Sequence, residues 1–311
     1  MTTISTLVSY PVGVRALLVA EAAIRRRMEG RVVEALESAE YAEIILPIVD
    51  FVDPYGPALR EKSLRQAYRF TDREGELIAI RADFTPMVAR ALAPVIDPCE
   101  LPLRIFYRGD VIRCERSRLG ASREFFQIGA ELVGDPSIDA DAEIVQLAAE
   151  SVRACGSEPV VAIVDTSIAR DLIEEVAPAP ADRPSLLEAL AQRRPGSLRS
   201  CDGKAGALLA RMAEGDISLD ELKEFEPTRG AAERLEVIEG RLQDAGIRAI
   251  LNLDEVEVDA GYYTGISFRV FVEDRNAPVA SGGRYDGLYR DFGRDVPAVG
   301  FTLSLDYLEE R

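Results

Sequence analysis

Between Leu101 and Gly134 the chain concentrates its strongest β signal into one block: "LPLRIFYRGDVIRCER", then "ASREFFQIGAELVG". Two such runs so close in sequence leave no room for a crossover helix, so they are expected to pair antiparallel. This excludes βαβ units for the core and predicts an α+β fold on an antiparallel sheet flanked by helices. A turn is expected at Gly109-Asp110.

Side-chain alternation along the second run separates two faces. Phe126, Ile128, Ala130 and Leu132 form an apolar face fit for a core. Phe125, Gln127, Gly129, Glu131 and Val133 form the other, with an amide and a carboxylate on either side of a glycine. Either that face is open to solvent, or it lines a pocket. Further on, "GYYTGISF" (261–268) places Tyr262, Thr264, Ile266 and Phe268 on one strand face, and Tyr263, Gly265 and Ser267 on the other. Two strands that each set polar-tipped side chains beside a gap in volume favour a pocket. Its ligand would carry a cationic amine or ring nitrogen facing Glu131. Gly282 and Gly283 in "SGGRYDGLYRDFG" suit a close backbone approach beside it. That loop lacks the spacing of a phosphate-binding P-loop or dinucleotide fingerprint.

Helical periodicity runs from about Val14 to Ser38, with Ile24, Met28, Val32 and Leu36 four apart. Its "RRRMEGR" cluster is a solvated face paired with nearby glutamates. Strands are expected over 43–52, 76–83, 160–165, 248–254 and 265–272, and a helix over 84–94 opening with Pro86. The Ala-, Leu- and Glu-rich stretch 141–245 is mostly helical and looks inserted between core segments 1–140 and 246–311.

Composition removes whole classes of chemistry. No histidine occurs among the 311 residues, which excludes Ser-His-Asp and Cys-His catalysis, HExxH zinc sites and any histidine general base. With 37 basic against 54 acidic residues the net charge is −17, unfavourable for wrapping a nucleic acid. Cys99, Cys114, Cys155 and Cys201 are scattered, with no CxxC pair, consistent with reduced thiols in a cytoplasmic protein. No metal, cofactor, membrane span or secretory leader is expected.

The order of segments resembles the catalytic domain of class II histidyl-tRNA synthetases over nearly the whole chain. "GVRALLVAEAAIRRR" with "YAEIILPIVD" looks like the opening helix and motif 1, "IRADFTPMVAR" like the Arg-Pro-Glu-x-Thr segment, and "FYRGDVIRCERSRLGASREFFQIGAELVG" like motif 2 with its following strand. "GYYTG" with "SGGRYDGL" looks like the second histidine-recognition segment, and "PAVGFTLSLDYL" like motif 3. The resemblance implies an amino-acid pocket of Asp83, Thr85, Tyr107, Arg113, Gln127, Glu131, Tyr262 and Tyr263. In it Glu131 and Tyr263 would serve the imidazole side and Asp83, in place of a glutamate, the ammonium. Arg113 matches the motif 2 arginine that meets the α-phosphate and the carboxylate.

The departures from that family carry the functional implication. An arginine that supports adenylate formation is replaced by Val258, an aspartate by Gly261, and the motif 3 arginine by Tyr307. Fixed guanidinium groups stabilise charge on transferring phosphoryl oxygens, and losing one costs about 3 kcal/mol. The resemblance also ends at motif 3, so no anticodon-binding domain is expected. A synthetase-like chain altered in this way is similar to the ATP phosphoribosyltransferase regulatory subunits of histidine biosynthesis. That resemblance implies a non-catalytic chain that partners the short-form catalytic subunit in a hetero-octamer. It also implies a self-dimer through the motif 1 region and histidine as feedback effector. Two alternatives stay open: an amino-acid-activating ligase acting on a non-tRNA acceptor, and a structural subunit with a vestigial pocket.

Overall fold

The computed structural model of the chain describes residues 10–55, 66–114, 122–256, 262–273 and 275–309. The first helix, α1, spans Val19–Ser38. It starts five residues later than its periodicity indicates, because the Glu21 carboxylate accepts the Leu18 N–H at 3.1 Å and caps the first turn there. Val32 and Leu36 are fully buried, about 1.5 to 3 kcal/mol of transfer free energy apiece. The basic cluster on α1 is partly structural: Arg25 holds Asp306 and Glu309 at 2.6 Å, binding the helix to the end of the chain.

The expected strand 43–52 is two strands in two sheets. β1 (Ala42–Glu43) pairs parallel with β5 (Leu103–Ile112). β2 (Val49–Phe51) instead joins a three-stranded sheet with β3 (Arg69–Thr71) and β4 (Leu77–Ile80), in the order β2-β4-β3. Pro47, which has no N–H to donate, lies where the chain crosses from one sheet to the other. Helix α2 (Thr85–Leu92) then carries Pro86 in its first turn, as expected.

β5 and β6 (Glu124–Val133) pair antiparallel along their whole lengths, from Leu103↔Val133 to Ile112↔Glu124. No turn interrupts β5 at Gly109-Asp110. Gly109 has φ +148°, and the Arg81 guanidinium fills the space a side chain would take there. The glycine marks a crossing side chain on the next segment, not a chain reversal.

The main sheet has eight strands in the order β1-β5-β6-β11-β10-β9-β7-β8. The remaining strands are β7 (Pro159–Asp165), β8 (Arg248–Leu251), β9 (Ile266–Val272), β10 (Ala280–Arg284) and β11 (Ala298–Ser304). Within the stretch 141–245, β7 is thus a strand of this sheet, between β9 and β8. α3 (Ile138–Ala154) packs against α1, β10 and β11, and α4 (Thr166–Val176) follows β7 directly. Four shorter helices lead to α5 (Glu226–Asp244), which lies against α3 and α4.

Phe126, Ile128, Ala130 and Leu132 point into one core with α1, α3 and α5, as their alternation predicts. The helices therefore cover one face of the sheet and leave the Gln127–Glu131 face for α2 and the loops. The four cysteines are unpaired. No helix among the described residues is long and apolar enough to cross a membrane.

Candidate functional site

Strand pairing brings small and polar residues into rows on the face away from the helices. Glu131 stands opposite Gly300, Gly300 opposite Gly283, and Gly283 opposite Ser267. In the next row Tyr107 faces Gly129, and Gly129 faces Thr302. A Cβ at Gly300 would overlap the Glu131 carboxylate and the Tyr285 hydroxyl; one at Gly129 would overlap the Tyr107 hydroxyl. Gly283 lies under the Tyr263 ring in the same way. The glycines are thus the floor on which functional groups from neighbouring elements converge.

Glu131 is 1% exposed and has no cationic partner among the described residues. Its Oε1 accepts from the Thr85 hydroxyl at 2.9 Å and from the Tyr107 hydroxyl at 3.2 Å, while Oε2 has no hydrogen-bond partner. Burial pushes its carboxyl up to about 8; the Thr85 and Tyr107 hydrogen bonds oppose this and the nearby Asp83 charge adds to it. Tyr107 is fully buried, stacked on Phe84 at 4.5 Å, and its hydroxyl is held well above the ordinary phenol range by burial and by Glu131. Gln127 Oε1, Tyr285 Oη, Tyr289 Oη and Ser304 Oγ are also buried without a partner. Unpaired buried oxygens are rare in native interiors, and those of Glu131, Tyr285, Gln127 and Ser304 lie along one face of the sheet.

Of the residues implied by the sequence, Thr85, Tyr107 and Glu131 touch directly, and Gln127 lies on the same face one row beyond Gly129. Asp83 accepts the Thr85 N–H at 3.4 Å and lies close enough to raise Glu131. Tyr262 and Tyr263 precede β9 on a loop and are not strand residues, so they do not take opposite faces as strand alternation predicts. Their rings meet edge to face at 5.0 Å, and Tyr262 stacks on Tyr285 at 5.4 Å. Arg113 stands at the outer end of this face, its Nε donating to Ala82 O at 2.9 Å and its guanidinium over the Phe125 ring. Tyr307 packs edge-on against that same ring at 5.9 Å. Val258 and Gly261 lie outside the described residues.

Sequence reasoning missed Tyr285, Tyr289 and Ser304. The alternation of Gly300, Thr302 and Ser304 with Val299, Phe301 and Leu303 carried the signal for β11. A cavity of about 350 Å³ lies beside Tyr263 and Thr264, under α4. Its lining includes none of the unpaired oxygens, and its Arg183 and Glu174 pair with each other at 2.6 Å.

An eight-stranded, largely antiparallel sheet that buries a carboxylate among glycines and tyrosines on the face away from its helices defines a class II synthetase-like protein. Accordingly, residues 13–308 match the histidyl-tRNA synthetase family. The S. aureus histidyl-tRNA synthetase structure shares the fold, with a TM-score of 0.69 at 21% identity over 97% of this chain and 72% of that one. A Bacillus halodurans structure described as an ATP phosphoribosyltransferase regulatory subunit/histidyl-tRNA synthetase superposes with a TM-score of 0.85. It is 25% identical over 98% of this chain and 83% of that one. The ATP phosphoribosyltransferase regulatory subunit of Moorella thermoacetica is 34% identical over 96% of this chain and 80% of the relative. The chain belongs to the histidyl-tRNA synthetase-like family of ATP phosphoribosyltransferase regulatory subunits.

Proposed function

We propose that this regulatory subunit, itself non-catalytic, binds histidine in the Glu131 pocket and relays its concentration to the short-form ATP phosphoribosyltransferase catalytic subunit. In that role it is needed for the partner's activity and for feedback inhibition. One observation carries the assignment of the ligand. Glu131 is buried with one oxygen bonded and the other unpaired, walled by Tyr262, Tyr263 and Tyr285. An imidazolium supplies what that site lacks, a flat cation that donates a hydrogen bond. In this reading Asp83 and Thr85 would meet the ammonium and Arg113 the carboxylate, so the three charged ends of the ligand would each find an opposite charge or an acceptor. Because histidine would favour one state of the assembly over another, the coupling is reciprocal, typically about 1 to 3 kcal/mol.

The same site argues against amino-acid activation. Tyr307, at the motif 3 arginine position, packs edge-on against Phe125 and brings no charge to that position, which leaves the Arg113 guanidinium over the same ring without a second arginine from motif 3. Self-association through the motif 1 region has its own support in exposed apolar side chains: Ile45 is 87% exposed, and Ile48, Phe51, Phe70 and Leu77 lie on the same segment and its small sheet. Titration calorimetry of the chain with histidine, and with glutamine as a neutral amide control, tests the pocket. Heat with histidine alone is expected; equal affinity for both would remove the role given to Glu131.

A further inference from the structure

Four buried or half-buried charges lie on the helix side of the sheet, behind the pocket. Arg284, at the end of β10, is 4% exposed and sits between Gly283, which carries the Tyr263 ring, and Tyr285. Its Nε donates to Asp141 Oδ1 at 2.8 Å, and its Nη1 reaches Asp286 Oδ1 and Asp135 O at 3.1 and 3.2 Å. Asp141, in the first turns of α3, has no exposure, and its Oδ2 faces Arg234 Nε of α5 at 3.5 Å. Arg234 Nη1 in turn donates to Asp165 Oδ2 at 2.6 Å. Asp165 Oδ1 caps α4 by accepting the Ser167 N–H at 3.0 Å and the Ser167 hydroxyl at 2.7 Å.

The ends of this chain of charges meet at the tyrosine loop. Thr166 donates its hydroxyl to Tyr263 O at 3.1 Å and to Gly265 O at 2.8 Å, and its N–H to Gly265 O at 2.9 Å. From the other side, Thr264 N–H donates to Arg284 O at 2.8 Å, and the Asp286 N–H donates to the Thr264 hydroxyl at 3.1 Å. Both aromatic walls, Tyr262–Tyr263 and Tyr285, therefore hang on one chain of charges whose two ends are joined through hydrogen bonds of the tyrosine loop. Buried ion pairs seldom exceed well-packed apolar residues in stability, so their retention is better explained by the geometry they fix.

We propose that Asp165, Arg234, Asp141 and Arg284 are positioning residues for the pocket, and that Arg234 makes effector affinity depend on where α5 lies. The proposal rests on the histidine pocket described above, but its test does not depend on it. Among the four, Arg234 has the most solvent access, its side chain 27% exposed, and it alone comes from α5. Movement of α5 therefore reaches the tyrosine loop through two ion pairs, and ligand in the pocket acts back along the same contacts.

The test compares the full-length wild type with Arg234→Gln, Arg234→Lys and Glu236→Gln, the last breaking an exposed α5 ion pair with Lys223. Arg234→Gln is expected to weaken histidine binding roughly tenfold or more and Arg234→Lys to recover most of it, since misplaced contacts are costly in a preorganised site. Glu236→Gln should bind like wild type. Ligand-free amide exchange at Thr264 and Thr166 should accelerate in Arg234→Gln and return in Arg234→Lys. Unchanged exchange at both amides overturns the proposal, whether or not histidine binds. So does a lysine variant no better than glutamine. If Arg234→Gln does not fold, Asp165→Asn with Arg234→Gln removes both charges of that pair and gives the same comparison. A wild type that binds no histidine would count against the pocket assignment alone, with exchange still deciding this one.

Discussion

Gly300 of β11 and Glu131 of β6 face each other directly across the ladder, and the Glu131 carboxylate occupies the space where a side chain at 300 would begin. Gly300→Ala should therefore displace the carboxylate from Thr85 and Tyr107. The expected result is loss of histidine binding by roughly tenfold or more, with about 1 to 3 kcal/mol of destabilisation from overpacking. Calorimetry and thermal unfolding read the two effects separately. An alanine variant with wild-type affinity would show that Glu131 is not the floor of a ligand site.

The raised pKa of Glu131 sets a pH optimum for binding. Below about 6.5, free histidine is already an imidazolium while Glu131 holds its own proton, so binding must release one. Above about 8, the carboxylate and the neutral imidazole share no proton, and binding must take one up. Affinity should peak between these limits. Calorimetry in buffers of different ionisation enthalpy should show proton release on the acid side and uptake on the alkaline side. Affinity flat from pH 5 to 9 would contradict an ion pair at Glu131.

Stability of the ligand-free chain follows from the same shift. Glu131 titrates near 8 when folded and near 4.5 when unfolded, so the folded state holds the proton more tightly. Its contribution is therefore fully present below about 4.5 and is lost as pH rises through about 8. Asp141, pushed up to about 6 by burial, acts in the same direction, so the useful quantity is the difference from Glu131→Gln. That difference in melting temperature should move in favour of the glutamine variant as pH rises from 5 to 8. A difference independent of pH would mean that the carboxyl is not protonated in the free protein.

How much of this was legible depends on whether the signal was local. The two faces of β6 followed from alternation alone, because a period of two leaves no freedom once one face is apolar; Phe126 to Leu132 and Gln127 to Glu131 then separate without a structure. Gly109 misled because a glycine-aspartate pair signals a turn, and the crossing Arg81 that requires the glycine is 28 residues away in sequence. The run 43–52 reads as one strand, and only the tertiary structure shows that Pro47 separates strands of two sheets. The tyrosines at 262 and 263 were assigned by strand parity to opposite faces, whereas a loop lets both rings meet near Tyr285. The chain of ion pairs through Arg284, Asp141, Arg234 and Asp165 was invisible because its members lie on four elements. Charges that far apart pair only through the fold.

The exposed apolar residues around β2 give a prediction about assembly. Ile48→Glu combined with Phe51→Glu should convert the chain to a monomer in sedimentation experiments at micromolar concentration, with the fold retained because both side chains are already exposed, at 59% and 46%. A variant that sediments like the wild type would exclude this face as the self-association surface.

Tyr307 on Phe125 predicts that the chain does not activate amino acids. ATP–pyrophosphate exchange with histidine should stay at background, even at protein concentrations where histidine binding is saturated. Exchange above background would revive the ligase alternative.

The most direct test of the account is the activity of the short-form ATP phosphoribosyltransferase alone, with this chain, and with its Glu131→Gln variant, each with and without histidine. The account predicts little activity alone, activation by the wild-type chain, and histidine inhibition that weakens sharply with the glutamine variant. A transferase fully active by itself, or inhibition by histidine that is unchanged in Glu131→Gln, would contradict it.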